Sequence, residues 1–144
     1  MGAAVSGRRF RAFVVVALSC VILAGCTSNE RAYRFQKAVE SYNKQIRWGN
    51  FMGALAMVHE SARPDPQRMR FLLNRYEQVQ VTGYATIGRR ATPNTNDFIE
   101  VMELRIVNRH TQRERVIQDE QVWRYFEEEG VWWQMSGLPD ISRQ

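Results

Sequence analysis

The chain has 144 residues and only two cysteines, Cys20 and Cys26. Nothing after residue 26 can therefore form a disulfide, supply a cysteine nucleophile or hold a metal through thiolates. Lysine is nearly as scarce: of 20 basic side chains only Lys37 and Lys44 are lysine, the rest arginine. Arginine suits bidentate contacts to carboxylate or phosphate, but biased genome composition is the simpler source of such a skew. Histidine occurs twice, at His59 and His110. No His/Asp/Glu group has metal-ligand spacing, no serine stands in a nucleophile elbow and no glycine-rich phosphate loop is present. These absences leave no catalytic residue, metal or cofactor to expect. The longest uncharged apolar run, Ala12 to Leu23, falls short of the ~20 residues a membrane-spanning helix needs.

That run has a context. Arg8, Arg9 and Arg11 precede it, and Leu23-Ala24-Gly25-Cys26 closes it. A basic start, a short apolar centre and small residues at the end have the form of a secretory signal peptide. The Leu-Ala-Gly-Cys order resembles the bacterial lipobox. The resemblance implies transfer of diacylglycerol to the Cys26 sulfur, cleavage between Gly25 and Cys26, and acylation of the new amine. Two or more acyl chains make a stable membrane anchor where one does not. The competing readings are an ordinary secreted protein cut at an Ala-x-Ala-like site, or an uncleaved anchor. Arg8-Arg9 is not followed by the spacing of a twin-arginine signal, since Phe10 comes directly after the pair. Residue 27 is Thr, not the Asp that in such lipoproteins favours the inner membrane, so the resemblance implies the periplasmic face of the outer membrane.

On this reading residues 1–25 are signal peptide, 26–31 a lipidated tether and 32–144 one small domain. The first 25 residues carry three Arg and no acid, which leaves 17 basic and 15 acidic side chains beyond them, a net of +2. So mild a charge is no nucleic-acid footprint, and no nucleic-acid partner is expected.

Along the domain, Ala32, Phe35, Val39, Tyr42 and Ile46 recur at helical spacing and predict a helix over about Glu30 to Ile46. Gly49-Asn50 ends it. A second helix starts near Asn50, with Phe51, Ala54, Leu55 and Val58 apolar, and runs until Pro64 and Pro66. A third, shorter helix opens at Asp65 or Pro66. From about Tyr76 the period becomes two: Val79, Val81, Gly83, Ala85 and Ile87 form the buried side of a strand. Phe98, Glu100, Met102, Leu104 and Ile106 share a face of the next, and a third runs from about Glu114 to Glu127.

For the last hairpin a three-residue loop, Glu128-Glu129-Gly130, sets Tyr125 opposite Trp133 and Trp123 opposite Met135 on one aromatic face. Trp132 and Phe126 then share the other face. Gly137-Leu138-Pro139 ends the sheet, and a loose tail is expected after it.

Helices first and then a four-stranded antiparallel meander give an α+β fold, with two to three N-terminal helices on one curved sheet. This order, with the strand end Trp133-Gln134-Met135-Ser136-Gly137-Leu138-Pro139, resembles the cystatin-like roll of the nuclear-transport-factor-two-like superfamily. That superfamily includes isomerases, dehydratases, ligand-binding domains and scaffolds, so the resemblance implies a fold and not an activity. Its enzymes line the cone between helices and sheet with polar residues. Asp119, mid-strand on the face of Trp123, is the acid to consider: either a buried base with a raised pKa or the partner of an Arg on the next strand such as Arg105. The set Phe35, Tyr42, Trp48, Trp123, Tyr125 and Trp133 reads first as core.

Two functions follow. One is a non-enzymatic envelope lipoprotein that binds a protein partner or itself, with Phe126 and Trp132 as interface anchors. The other is a small-molecule or lipid pocket lined by Asp119, Trp123, Tyr125 and Trp133, with isomerase- or hydrolase-like activity open. A filled cone favours the first and an open one the second.

Overall fold

The computed structural model describes residues 29–93 and 95–142. The basic start, the apolar run, the Leu23–Cys26 motif and the first residues of the tether lie outside the described residues. The chain divides into two units, Met1–Gln36 and Lys37–Gln144. Of the first, residues 29–36 are described. They are helical, with an Arg34–Glu30 pair at 2.6 Å on one side. Phe35 there is buried, while Ala32 and Tyr33 are exposed. Ala32 was expected on the apolar stripe and is not part of it.

Helix α1 covers residues 29–47 and its stripe continues through Val39, Tyr42 and Ile46, all buried. Its end is dictated by Gly49, whose φ of 72° suits a residue without Cβ. The Gly49 amide then donates to Ile46 O and the Asn50 amide to Gln45 O, which satisfies two orphan carbonyls of the last turn. Asn50 also starts helix α2 (Phe51–Ala56), its Oδ1 accepting from the Gly53 amide.

Helix α2 is shorter than its apolar pattern predicts. It stops at Ala56, well before Pro64, because the next residues are claimed by the sheet. Gln134 donates its amide to Met57 O and accepts from the His59 amide, and Val58 bridges Gln134 in parallel. Val58 remains fully buried, but as an extended residue. A short 3-10 turn (Glu60–Ala62) follows. Helix α3 (Pro66–Tyr76) has Asp65 as its cap, accepting from the Gln67 and Arg68 amides, and Pro66 at the first position where no amide is needed.

Four strands, β1 (Val79–Ala91), β2 (Asp97–Asn108), β3 (Glu114–Phe126) and β4 (Val131–Gln134), form an antiparallel meander in sequence order. Three helices against this open sheet give the expected α+β fold. Strand β1 departs from simple alternation. Register shifts at Val81/Gly83 and Thr86/Gly88 each insert a residue, and each exchanges the two faces. Val79 and Val81 are buried as expected, but beyond them Tyr84 opposes Leu104 and Thr86 opposes Met102. Ala85 and Ile87, expected in the core, turn to the other face and are exposed.

The β3–β4 hairpin also departs from the expected pairing. Phe126 pairs with Val131 across a four-residue loop, Glu127–Gly130, closed by the Gly130 amide on Phe126 O. Gly130 takes the left-handed conformation expected of it, φ 64°. The pairing is one residue away from the expected register, so Tyr125 faces Trp132 and Trp123 faces Gln134. Trp132 is therefore buried on the core side, 6% exposed, and touches Phe98 and Tyr125 edge-on or tilted. Trp133 turns outward, beside Phe126. The gain from this register is Gln134: fully buried, its Oε1 accepts from the Ser136 and Gly137 amides and closes the turn after the strand.

The segment after that turn is held, not loose. Tyr42 donates to Gly137 O, Tyr76 to Pro139 O and Arg115 to Ile141 O, and Ile141 is buried. Tyr42 meets Trp123 edge-on at 5.6 Å, while Phe51 stacks on Tyr76 at 4.1 Å. Trp48, by contrast, is not core but 73% exposed.

The register has a direct consequence. Trp132→Ala should cost about 3–5 kcal/mol, as large aromatic deletions in a core do, whereas Trp133→Ala should cost less than about 2 kcal/mol. Urea denaturation of the two variants measures both. Equal losses, or the reverse order, would mean that the hairpin pairs in the other register.

Candidate functional site

Polar side chains lie deep in the space between helices and sheet. Strand alternation puts Glu100 and Met102 of β2 on the face of Asp119, Gln121 and Trp123 of β3, with Glu100 opposite Gln121 and Met102 opposite Asp119. Helix α1 lowers Tyr42 and Asn43 onto that face. Glu100, Gln121, Trp123 and Tyr42 are wholly inaccessible, and Asn43 nearly so.

These groups are held in two hydrogen-bonded sets, one around Gln121 and one around Glu100. Gln121 Nε2 donates to Asn43 Oδ1 at 2.8 Å and to Asp119 Oδ2 at 3.0 Å, while Trp123 Nε1 donates to Gln121 Oε1 at 3.4 Å. Glu100 accepts both nitrogens of the Arg89 fork, at 2.6 and 2.9 Å, and the Thr86 hydroxyl at 2.9 Å. Arg89 reaches it from β1 because the second bulge places Arg89 directly opposite Glu100. The bond to Glu100 raises the Arg89 pKa further. Burial, and then the Asp119 carboxylate, push the Tyr42 and Tyr76 hydroxyls well above the usual phenol range. Both phenols stay protonated and serve as donors to backbone carbonyls. The arrangement is a satisfied polar core.

Asp119 and Trp123 sit together on the core face, as expected, with Tyr125 further along it. Trp133 is not with them. Arg105 is no partner for Asp119, since it faces the other side and approaches Glu114 at 3.6 Å. Phe126 lies on the outer face, as expected, but Trp132 does not. Trp133 replaces it there: His59 stacks on Phe126 at 4.9 Å and meets Trp133 edge-on at 6.0 Å, and Trp133 Nε1 donates to Glu129. His59 Nδ1 accepts from the Ser61 amide and meets its hydroxyl at 2.8 Å. His110 is exposed in the β2–β3 turn.

The outer face continues from this cluster through Val122 and Ile99, which oppose one another, to Val101, all half-buried. Ion pairs border it, Arg90 with Glu120 at 2.9 Å and Arg124 with Asp97 at 2.6 Å. Arg124 grips both Asp97 oxygens and holds that carboxyl below the usual carboxylate range. A separate polar groove of about 280 Å³ runs between Ser61–Arg68 and Ser136–Leu138. Among the described residues no group of three His, Cys, Asp or Glu is placed to hold a metal, and no helix is long and apolar enough to cross a membrane.

Sequence reasoning missed the buried pairs Arg89–Glu100 and Gln121–Asn43. A signal was present: Glu100 and Gln121 both fall at core positions of their strands by parity. The pairing to Arg89 was hidden by the bulge. No protein-family model matches this chain, and no curated protein is significantly similar to it in sequence.

Two outcomes test this interior. Arg89→Ala leaves the Glu100 carboxylate buried without its fork and should cost about 2–3 kcal/mol, below the range for fully buried pairs because Arg89 is half exposed. Adding Glu100→Gln should recover part of that loss in urea denaturation. For Asp97, an unfolded carboxyl titrates near ~3.9 and the folded one lower, so the pair stabilises fully above about pH 4 and its contribution is lost as the pH falls through the folded value. Asp97→Asn should therefore lower stability by about 1 kcal/mol at neutral pH, with the gap to the parent closing in strong acid.

Proposed function

We propose that this protein is a non-enzymatic envelope lipoprotein, anchored through lipid on Cys26, whose small domain binds a protein partner or a second copy of itself. The anchor reading rests on the basic start, the short apolar run and Leu23-Ala24-Gly25-Cys26. By resemblance, Thr27 favours the periplasmic face of the outer membrane. The domain's order of elements resembles the nuclear-transport-factor-two-like superfamily, whose fold serves binding and scaffolding as well as catalysis.

The observation that carries the binding role is the filled interior. Trp123, Tyr42, Gln121 and Glu100 occupy the depth of the cone with no accessible surface and bond to one another or to neighbours. A substrate would have to displace a satisfied network, at a cost of about 1–3 kcal/mol for each polar group left unpaired. The outer face offers the opposite: a half-buried apolar row from His59, Phe126 and Trp133 to Val122, Ile99 and Val101, bordered by ion pairs. An aromatic centre with a charged rim is the composition of a protein interface.

Native mass spectrometry of the protein extracted in detergent from a bacterial envelope tests both parts. The expected species begins at Cys26 with acyl chains attached, and it is a dimer or carries a co-purified protein that Trp133→Ala removes. A monomer with an added small-molecule mass would transfer the function to a pocket. An unmodified Cys26 would end the anchor reading.

A further inference from the structure

The helical side of the domain differs in charge from the sheet. Between residues 44 and 75 six basic side chains, Lys44, Arg47, Arg63, Arg68, Arg70 and Arg75, stand against two acids, Glu60 and Asp65, a net of +4. Over residues 79–134 seven Arg meet nine Asp and Glu, a net of −2. The modest overall charge conceals this division.

The positive side also exposes large apolar groups. Trp48 is 73% exposed, Phe71 60% and Met52 57%. Single exposed apolar residues are ordinary, but these three lie close in sequence to the contact between α2 and α3. The Phe51–Tyr76 stack holds the first residue of α2 against the last of α3. Met52 adjoins Phe51, Trp48 lies three residues before it, and Phe71 is five residues, about 7.5 Å of helix, before Tyr76. Each exposed ring also carries a cation. The Arg47 guanidinium is 5.2 Å from the Trp48 ring centre and that of Arg75 is 5.6 Å from Phe71.

We infer that the α2–α3 side of the domain rests on an anionic lipid surface, with Trp48, Met52 and Phe71 at the headgroup boundary and Arg70 and Arg75 against the phosphates, while Arg47 is held by the Val81 carbonyl. Tryptophan favours that boundary because its ring is apolar and its N–H polar. Basic side chains near anionic lipid add attraction that salt screens. The negative sheet is repelled by the same surface, which turns the outer face with Phe126 and Trp133 away from the lipid and towards a partner. Proximity to the bilayer rests on the proposed anchor at Cys26, three residues before helical residue 29 and so within about 11 Å of it. The surface chemistry stands apart from that anchor.

The test uses the full processed protein in phosphatidylcholine vesicles, with and without phosphatidylglycerol, whose acyl chains are brominated to quench nearby tryptophan. The expected result is quenching in the anionic vesicles that disappears in Trp48→Phe, since Trp123 and Trp132 are buried and Trp133 lies on the outer face that this docking turns away from the lipid. Arg70→Ala and Arg75→Ala should each lower the docked population about fivefold, as should added salt for the set. Circular dichroism checks that these substitutions, at exposed Trp48 and Arg70 and half-buried Arg75, leave the fold intact. Absence of quenching when mass spectrometry finds Cys26 lipidated would overturn the docking and leave the anchor standing. Quenching unchanged in Trp48→Phe would overturn it too. Quenching by a protein with unmodified Cys26 would support the docking and overturn the anchor.

Discussion

Gln134 ties together three parts of the chain that are distant in sequence. Its backbone amide and carbonyl bond Met57 and His59, its side-chain oxygen takes the Ser136 and Gly137 amides, and its position opposite Trp123 sets the pairing of β4. The polar groups of Gln134, which is wholly buried, would otherwise lack partners, at about 1–3 kcal/mol apiece. The register of the last hairpin follows from this amide. With Gln134 inside, Trp132 must be inside and Trp133 outside, because strand side chains alternate. The same bonds cut α2 short at Ala56. They also hold the turn that brings Gly137 O to Tyr42.

The interior built on this hub is polar in its centre and apolar around it. Glu100, Gln121, Asn43 and Asp119 are joined to one another or to Arg89, Thr86 and Trp123 at their ends. Such a network contributes little net stability, because desolvation offsets most of what its bonds return. It does punish misplacement. A sheet sliding by one residue would bury the Arg89 end or strand Glu100, so the network favours one register over its neighbours. Filled in this way, the cone directs attention to the surfaces. One carries aromatic rings with ion pairs at its border, the other exposed aromatic rings with guanidinium groups over them.

The helices were legible where a stripe ran unbroken between a cap and a glycine. Val39, Tyr42 and Ile46, then Gly49-Asn50, mark α1 correctly, and Asp65-Pro66 marks the start of α3. The strands were legible in number and order, and β2 and β3 in length, but β1 runs on to Ala91 past the turn expected at Gly88 and β4 spans only Val131–Gln134. What failed were the inward faces of β1 beyond Val81 and of β4. A bulge or a one-residue change in loop length leaves composition and spacing untouched, yet it exchanges the two faces of everything beyond it. Thr82 and Ile87 carry no mark of being the inserted residues. Glu127 carries no mark of belonging to the loop.

Placement of the candidate residues divides along the same line. Asp119 and Trp123 were set correctly on the core face because β3 has no bulge. Trp132 and Trp133 were exchanged because β4 lies beyond the hairpin. The sequence by itself determined the kind of each element, the α+β order and the glycines that end helices or close turns, since these depend on local sterics and on periodicity within one segment. Only the tertiary structure decided which tryptophan is buried, where α2 stops and which arginine answers Glu100. Those outcomes depend on hydrogen bonds between residues far apart in sequence, and no local preference encodes them.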